Sequence, residues 1–296
     1  MRACFPKVQR ERLNTAGMGR ASSPPSEVDC LCGAFGFALL KLEAIGIAIT
    51  TVGAIGEVGP VHRDINGKNP NDSIRGPFSI KDAKANSVPT YPVLWAHDAK
   101  REHTMSLDGD SEGLLLQGAD AEEQESIDVK VGNIWATASH CHCNLDFRFN
   151  SQSTGMQFTP RKTIGGRAWL SIQLSSAEQE KVLVLWANTS LGMLLRWWHS
   201  NKRQSGRGNI GKTTLQTLPI LDIAALSAKR LANGVKLFDE MCQKEMLPLH
   251  EIDKDPVRKE LDERFAREIL GLPEALIKPG GALEVLRRVS PLTTAS

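Results

Sequence analysis

The sequence contains few cysteines, and no apolar run in it is long and uninterrupted. Six cysteines in 296 residues do not form a disulfide framework, so a reducing compartment is expected. The apolar stretch 30–55 carries Lys41, Glu43 and several glycines, which excludes a membrane span. We recognise no secretory signal at the start of the chain. These absences predict a cytoplasmic protein without a membrane partner.

The net charge is also small, at +2, so the chain as a whole is not a polycation. The charges are nevertheless segregated. The stretch 107–128 holds only acidic charges and is expected to be a loop or a short helix, whereas the stretch 151–214 is basic and contains only Glu178 and Glu180 as acids. A nearly neutral protein with a basic middle is typical of a domain that binds an anion with one face. Ordinary unevenness of surface charge is the alternative explanation.

Three regions are predicted along the chain. Residues 1–29 carry arginines among Ser, Gly and Pro, which predicts a disordered basic arm. Residues 30–222 predict an α+β domain of target-recognition type, with a mixed or antiparallel sheet formed mainly between 45 and 222. Residues 223–296 are predicted to be helical and to cap that sheet.

One stretch combines an apolar segment with a basic one. Apolar residues over 182–198 recur mostly at spacings of three and four, which predicts helix with one buried face. The sequence Asn-Thr-Ser at 188–190 interrupts this pattern and predicts a cap for a second helical segment from about Leu191. A flexible loop of hydrogen-bond donors follows and is predicted to bind a phosphate backbone. Its candidate contact residues are Lys202, Arg203, Gln204, Ser205, Arg207, Lys212 and Thr213.

A second basic element precedes this stretch. The sequence PRKTIGGR at 160–167 predicts a tight turn between two strands, because Gly165 and Gly166 can supply positive φ. Its candidate contact residues are Arg161, Lys162 and Arg167. Across both elements Arg and Gln are expected to read bases, since each can make paired hydrogen bonds to guanine or adenine, whereas Lys supplies salt-dependent affinity.

The sequence 206–213 matches the pattern G-x-x-x-x-G-K-[ST] of a phosphate-binding loop. Such a loop needs a buried strand before it and a helix that starts at the Lys-Thr pair. Here a helix is predicted before it, and Pro219 follows so soon that the segment from Thr214 is predicted to be a strand. No second acidic strand is evident to hold magnesium. A flexible basic loop is the favoured interpretation, and a nucleotide-binding protein that uses Gly206 to Thr213 is the alternative.

Two other clusters contain residue types found in catalytic or metal sites. The sequence His-Cys-His-Cys at 140–143 has zinc-ligand types, but in a strand the cysteines lie on one face and the histidines on the other, so one ion cannot easily bind all four. His62, Arg63 and Asp64 form a polar trio, for which an Arg–Asp pair that holds a loop is commoner than catalysis. We therefore expect no metal site and no catalytic residue.

Several stretches resemble the target-recognition, or specificity, region near the carboxyl end of bacterial DNA methyltransferases of restriction-modification systems. In that region a strand and a helix around a Trp/Leu-Asn-Ser/Thr motif lead through a polar loop to a Leu-Pro-hydrophobic strand. The similar sequences here are LWANTSLGMLLRWWHSNKRQSGRG, LQTLPILDI, NLDFRFNSQSTGMQFTPRKTIGGRAW, GEVGPVHRDING and YPVLWAHDAKRE. The sequence DPVRKELDERFAREILGLPE resembles the helical tail of the same proteins. The resemblance covers residues 45–290.

The departures from this family pattern concern catalysis. Methyltransferases of this kind carry a Gly-rich cofactor loop and an Asn/Asp/Ser-Pro-Pro-Tyr/Phe tetrapeptide whose aromatic ring stacks on a flipped base. The nearest sequences here, Asn-Pro-Asn-Asp at 69–72 and Ser-Pro-Pro-Ser at 23–26, lack that aromatic residue. The resemblance therefore implies a DNA-recognition module without a methyl-transfer or cofactor site. Its implied partners are double-stranded DNA and a methyltransferase catalytic chain or domain, to which S-adenosylmethionine is confined. An inactive truncated remnant or an incomplete gene product is the alternative.

Overall fold

The computed structural model describes residues 47–67, 76–82, 90–203 and 207–288. The chain divides into two compact units, Met1–Thr50 and Thr51–Ser296, and almost all described elements belong to the second unit. The predicted basic arm at 1–29 lies outside the described residues. Within the described ranges no helix is long and apolar enough to cross a membrane.

Helices and strands are interspersed, and the predicted α+β class is confirmed. The strands are β1 (Ile49–Thr51), β2 (Glu57–Val58), β3 (Phe78–Asp82), β4 (Thr90–Leu94), β5 (Ser111–Leu115), β6 (Ser139–Asn144), β7 (Asp146–Arg148), β8 (Met156–Gly165), β9 (Trp169–Gln173), β10 (Asn201–Arg203), β11 (Arg207–Asn209) and β12 (Pro219–Leu221). The helices are α1 (Val52–Ile55), α2 (His62–Ile65), α3 (Ala121–Ala136), α4 (Ala177–Asn188), α5 (Ser190–His199), α6 (Lys212–Gln216), α7 (Ala228–Met241), α8 (Pro256–Arg264), α9 (Glu274–Ile277) and α10 (Ala282–Arg288). Short 3-10 turns lie at Ile223–Ala225 and Leu249–Glu251, and the π-helix Phe265–Leu270 continues α8.

Seven strands form the main sheet in the order β2-β9-β6-β8-β4-β5-β3. The sheet is mixed, as predicted, because β4 and β8 run parallel while the other neighbouring pairs described are antiparallel. The parallel pair places Val93 opposite Ile164 and Leu94 opposite Gly165. β8 is central, since it pairs with β6 on one side and with β4 on the other.

Helices pack on this sheet, and the hydrophobic core contains residues of both the helices and the sheet. The apolar residues of α3 join a buried cluster with those of the sheet: Ile65, Phe78, Val93, Ile127, Val131, Ile134, Ala138 and Ile164. α4 packs on β6 and β8 on one side and on α7 on another, where Gly234 meets Val182. The ring of Phe238 in α7 lies 5.0 Å from that of Phe158 in β8. α4 is buried from Val182 to Asn188 because it lies between these layers.

The acidic stretch 107–128 is more regular than expected. We predicted a loop or a short helix, but it contains β5 and the start of the 16-residue helix α3. Asp120 caps α3, since its carboxylate accepts a hydrogen bond from Glu123 N at 2.8 Å. Glu122 and Glu123 lie in the first turn, where the helix dipole favours negative charge. The acidic residues are therefore a helix-start signal, which our prediction overlooked.

The sequence Asn-Thr-Ser at 188–190 joins two helices to the sheet. Thr189 caps α5 as predicted, since its hydroxyl accepts a hydrogen bond from Gly192 N at 3.0 Å. The Asn188 side chain is fully buried, accepts a hydrogen bond from Gly155 N at 2.8 Å and donates one to Met156 O at 2.9 Å. Asn188 therefore fixes the end of α4 against the start of β8.

The carboxyl-terminal helices bind to the same junction. Ser190 donates a hydrogen bond to Asp262 of α8 at 2.6 Å. Arg258, also in α8, is fully buried and donates to the carbonyl oxygens of Asn188 and Ser153, at 2.5 and 2.6 Å. Residues 188–190 are therefore hydrogen-bonded both to the start of β8 and to α8.

Candidate nucleic-acid interface

The basic stretch after α5 is a β-hairpin, so our prediction of a flexible loop is wrong for the described part of it. β10 and β11 run antiparallel, with Asn201 opposite Asn209, Lys202 opposite Gly208 and Arg203 opposite Arg207. Gln204 and Ser205, which come between the two strands in sequence, lie outside the described residues. Apolar alternation is absent from both strands, and their pairing depends on a third strand from elsewhere in the chain.

β7 is that third strand, and the three strands follow the order β10-β11-β7. The register places Arg148 opposite Arg207, Phe147 opposite Gly208 and Asp146 opposite Asn209. Arg203, Arg207 and Arg148 therefore occupy one row across the sheet. Arg207 and Arg148 are like charges directly opposite one another, an arrangement that destabilises a sheet. An anionic ligand would offset the repulsion.

The inner face of this three-stranded sheet packs against the core. Phe147 and Phe149 are buried, and their ring centroids are 5.0 Å apart. Gly208 makes room for them, because a Cβ at that position would lie 2.6 Å from the Phe149 ring and would overlap Ser200 Oγ. Arg148 is exposed on the other side. Sequence reasoning missed Arg148, although the alternation of NLDFRF places it opposite the phenylalanine face.

The outer face carries the polar side chains. Arg207 is 39% exposed and Asp146 is 38% exposed, and Arg207 Nη1 lies 3.9 Å from Asp146 Oδ2. The guanidinium of Arg148 makes no hydrogen bond or ion pair with any residue that the structure describes. It is therefore available to a ligand, whereas Arg207 is held loosely by its neighbour.

Lys202 differs from the other basic residues of the hairpin. Its ammonium lies 4.2 Å from the centre of the Trp197 ring, donates a hydrogen bond to Ser200 Oγ at 3.0 Å and lies 3.3 Å from Ser200 O. Desolvation lowers the pKa of Lys202 to about 8. Both partners belong to the end of α5. Lys202 therefore ties β10 to this helix, although its sequence position suggested a phosphate contact.

The sequence 206–213 does not have the geometry of a phosphate-binding loop. α6 starts at Lys212, so the strand that we expected from Thr214 is wrong, and a helix at this point is what such a loop requires. Residues 207–209, however, are extended and paired on both sides. Ile210 N donates a hydrogen bond to Leu145 O, between β6 and β7, at 2.8 Å. Amides that would surround a phosphate are thus committed to a sheet. Lys212 is half-buried and Thr213 exposed.

The second basic element is part of a strand. β8 continues through PRKTIG, and its register with β6 shifts around Pro160, which indicates a bulge. Proline has no N–H to donate, so it is tolerated where the ladder is interrupted. Gly165 and Gly166 do not have positive φ, and the predicted tight turn is wrong. Gly166 instead lies against the Trp95 ring, where a side chain would not fit.

The basic side chains of this element lie apart from one another and from the hairpin. Arg161 is 72% exposed, with its Nη2 3.8 Å from Glu112. The Lys162 ammonium lies 5.8 Å from the centre of the Trp135 ring. No hydrogen bond, ion pair or ring contact among the described residues connects Arg161, Lys162 or Arg167 to the hairpin. The structure therefore does not bring the two basic elements together by direct contact.

Arg167 lies near the polar trio in α2. His62, Arg63 and Asp64 are all exposed. Burial, followed by the charges of Arg63 and Arg167, lowers the pKa of His62, and Asp64 acts in the opposite direction. The trio thus belongs to a locally basic corner, with no hydrogen bond described between the His62 and Asp64 side chains.

The His-Cys-His-Cys sequence lies in β6. Cys141, Cys143 and His142 are buried, and the His140 ring stacks on Phe158 at 5.2 Å between centroids. Burial raises the pKa of Cys141. Within the part of the chain that the structure describes, no group of three His, Cys, Asp or Glu side chains is placed to hold a metal ion.

Comparisons with known proteins give a distant similarity to a solved structure. No protein-family model matches the sequence, and no curated protein matches it. Among solved structures, the chain is similar to the type IIG restriction endonuclease BpuSI, with 13% sequence identity and a TM-score of 0.46. The match covers 74% of this chain and 30% of that chain, so the chain spans about 30% of the length of the endonuclease.

The chemistry available on the three-stranded sheet is that of anion and base-edge binding. A guanidinium presents five N–H donors in a planar fork that matches a phosphate or the guanine edge. Arg148 and Arg207 are carried by strands whose other face is fixed in the core by Phe147 and Gly208. Their backbone positions are therefore set before a ligand arrives, which reduces the entropic cost of binding.

Proposed function

We propose that this chain is a sequence-specific DNA-recognition module of a restriction-modification type DNA methyltransferase and has no methyl-transfer site of its own. The observation that carries this proposal is the row of Arg203, Arg207 and Arg148 across the three-stranded sheet. The mutual repulsion of Arg207 and Arg148 within this row would be relieved by the closely spaced phosphates of a duplex. The resemblance of this stretch to the specificity regions of such methyltransferases supports the same partner.

The proposal assigns binding to this chain and chemistry to another. The DNA contacts come from Arg148 and from residues of both basic elements: Arg161, Lys162, Arg167, Arg203, Gln204, Ser205, Arg207, Lys212 and Thr213. Lys202 holds the hairpin in place. The methyl group comes from S-adenosylmethionine bound to a methyltransferase catalytic chain or domain, which acts on the bound DNA in the cytoplasm.

The experiment is a titration of a fluorescently labelled duplex with the full chain, followed by anisotropy. We expect affinity to fall steeply between about 50 and about 200 mM salt, because phosphate contacts release counterions. The double variant Arg203→Ala/Arg207→Ala is expected to weaken binding by about 1–3 kcal/mol for each paired contact that is lost. Lys229→Ala, which removes an exposed charge from α7, is the control and should bind like the parent chain. If the double variant binds duplex as tightly as the parent chain does, the interface has been misplaced.

Nucleotide binding is the second candidate, because α6 begins at Lys212 as a phosphate loop requires. A titration with a nucleoside triphosphate and magnesium separates the two functions. Binding of the nucleotide without binding of duplex would replace our proposal with this one. We expect duplex binding and no saturable nucleotide binding, since the amides of 207–209 are paired in the sheet.

A further inference from the structure

The outer face of the three-stranded sheet carries a second row beside the arginines. Asn201, Asn209 and Asp146 are opposite one another, two residues along from the arginine row. Residues two apart in a strand, and residues directly opposite in neighbouring strands, share a face. Burial agrees with this assignment, because Phe147 and Gly208 are buried whereas Arg148 and Asn201 are exposed. Arginine, asparagine and aspartate therefore share one solvent-facing surface.

These three residue types can distinguish base pairs. In the major groove, Arg makes paired hydrogen bonds to O6 and N7 of guanine, Asn pairs with adenine, and Asp accepts from the amino group of cytosine. Asp146 is the informative member, because a carboxylate next to Arg207 weakens the attraction of phosphates. A surface that contacted only the DNA backbone would bind more tightly if the Asp146 carboxylate were removed.

The geometry allows the Asp146 carboxylate and the Arg207 guanidinium to act as one unit. They are 3.9 Å apart, both are between one third and two fifths exposed, and they belong to neighbouring strands. Asp146 Oδ1 is buried, so Oδ2, which lies on the Arg207 side of the partly exposed carboxylate, is the acceptor that can face a ligand. Arg207 and Asp146 lie on two neighbouring strands, β11 and β7, and the major groove admits a two-stranded ribbon.

We propose that this sheet face reads base edges in the major groove of duplex DNA, and that Arg207 with Asp146 reads a G·C pair. Arg207 donates to O6 and N7 of guanine, and Asp146 accepts from N4 of the cytosine. Arg148 and Asn201 contact the flanking positions, whereas the Asn209 amide donates a hydrogen bond to Leu145 O at 3.2 Å within the protein. This inference rests on the proposed function and specifies which surface and which base pair are involved.

The test measures sequence preference and affinity separately. Duplexes bound by the parent chain are selected from a randomised library, and a preferred sequence with an invariant G·C pair is expected. Exchanging that pair for A·T should weaken the parent chain by about 5- to 150-fold. Asp146→Ala should reduce this ratio at least several-fold while affinity for an unrelated duplex rises or stays equal, because a negative charge has gone. Glu125→Ala, which removes an exposed charge from α3, is the matched control and should leave the ratio unchanged.

Other outcomes overturn the proposal. A parent chain that binds all duplexes equally grips only the backbone, which refutes base reading but leaves DNA binding intact. If Asp146→Ala raises affinity for every duplex by one factor and keeps the ratio, Asp146 acts through charge alone.

If the Asp146→Ala variant loses its thermal unfolding transition, Asp146→Asn replaces it, since this isosteric change removes the charge and should move the preference away from the G·C pair. Failure of the parent chain to bind any duplex would refute the proposed function together with this inference.

Discussion

The Lys202 ammonium stands over the Trp197 ring, 4.2 Å from its centre, and so connects the hairpin to the helix that precedes it. The hydrogen bond to Ser200 Oγ, at 3.0 Å, reinforces this contact. The ammonium of Lys202 already has partners within the protein, whereas the ammonium of a phosphate-binding lysine must face the ligand. The distinction decides how the most basic stretch of the chain should respond to mutation.

We predict that Lys202→Met loosens the hairpin without removing a phosphate contact. A cation–π contact at an exposed site is worth about 0.5–1 kcal/mol, so hydrogen exchange of the amides of β10 and β11 should accelerate by a few-fold. The slope of duplex affinity against salt concentration should not change. A decrease of about 0.9 in that slope would show that Lys202 contacts a phosphate after all.

A pair of glycines tests whether the hairpin is docked as described. Gly208→Ala should destabilise the protein by about 1–3 kcal/mol and weaken duplex binding, because the added methyl group meets Phe149 and Ser200 Oγ. Gly211→Ala is the matched control, since nothing lies within 4 Å of an added Cβ there. Thermal unfolding and duplex titration of both variants provide the measurement. Equal effects of the two changes would contradict the docking of β11.

Local signals explain which parts of the fold could be predicted from the sequence. The cap at 188–190 can be predicted because a helix cap depends on one side-chain oxygen and the next few residues, and the structure assigns that oxygen to Thr189. The start of α3 follows the same chemistry at Asp120, but the acidic charges of 107–128 predict only a loop or a short helix, whereas the structure has β5 and a 16-residue helix. The two glycines after Pro160 predict a turn, but the structure has a bulge at Pro160, and Gly166 allows close packing against Trp95.

The hairpin and its third strand could not be predicted in the same way. β10 and β11 lack apolar alternation, and they are strands because β7, far upstream in sequence, pairs with Arg207 and its neighbours. Arg207 was a candidate from its charge alone. Arg148 is a candidate only because the register places it opposite Arg207, since an isolated arginine in a strand has no local signal. The row is a property of tertiary pairing.

Asn188 provides a prediction about the junction between α4 and α5. Asn188→Ala should destabilise the protein by about 3 kcal/mol, because it leaves buried partners such as Gly155 N and Met156 O unpaired. The salt dependence of duplex binding by the folded fraction should be that of the parent chain. Asn133→Ala on the exposed side of α3 is the control and should stay within about 0.5 kcal/mol. A stable Asn188→Ala protein that fails to bind duplex would instead give Asn188 a direct role in recognition.

His142 gives the stability of this fold a specific dependence on pH. Its side chain is fully buried, its Nδ1 has no hydrogen-bond partner among the described residues, and burial lowers its pKa from 6.5 to about 3. Between those two values the unfolded chain binds a proton that the folded protein does not, so the free energy of unfolding decreases as the pH falls through this window. The contribution of His142 is complete above pH 6.5 and is lost at up to about 1.4 kcal/mol per pH unit below it.

Urea unfolding at a series of pH values from about 7 to about 4 measures this effect, with His142→Gln as the variant. The amide of the variant fills the imidazole site less well, so we expect the variant to have the lower free energy of unfolding at neutral pH. The difference in free energy of unfolding should shrink as the pH falls, because only the parent chain carries the cost of keeping an imidazole neutral. Asn133→Ala, which removes no titratable group from the exposed side of α3, should run parallel to the parent curve. Parallel curves for His142→Gln would mean that His142 takes up its proton in the folded protein, and that the strand β6 admits water at its centre.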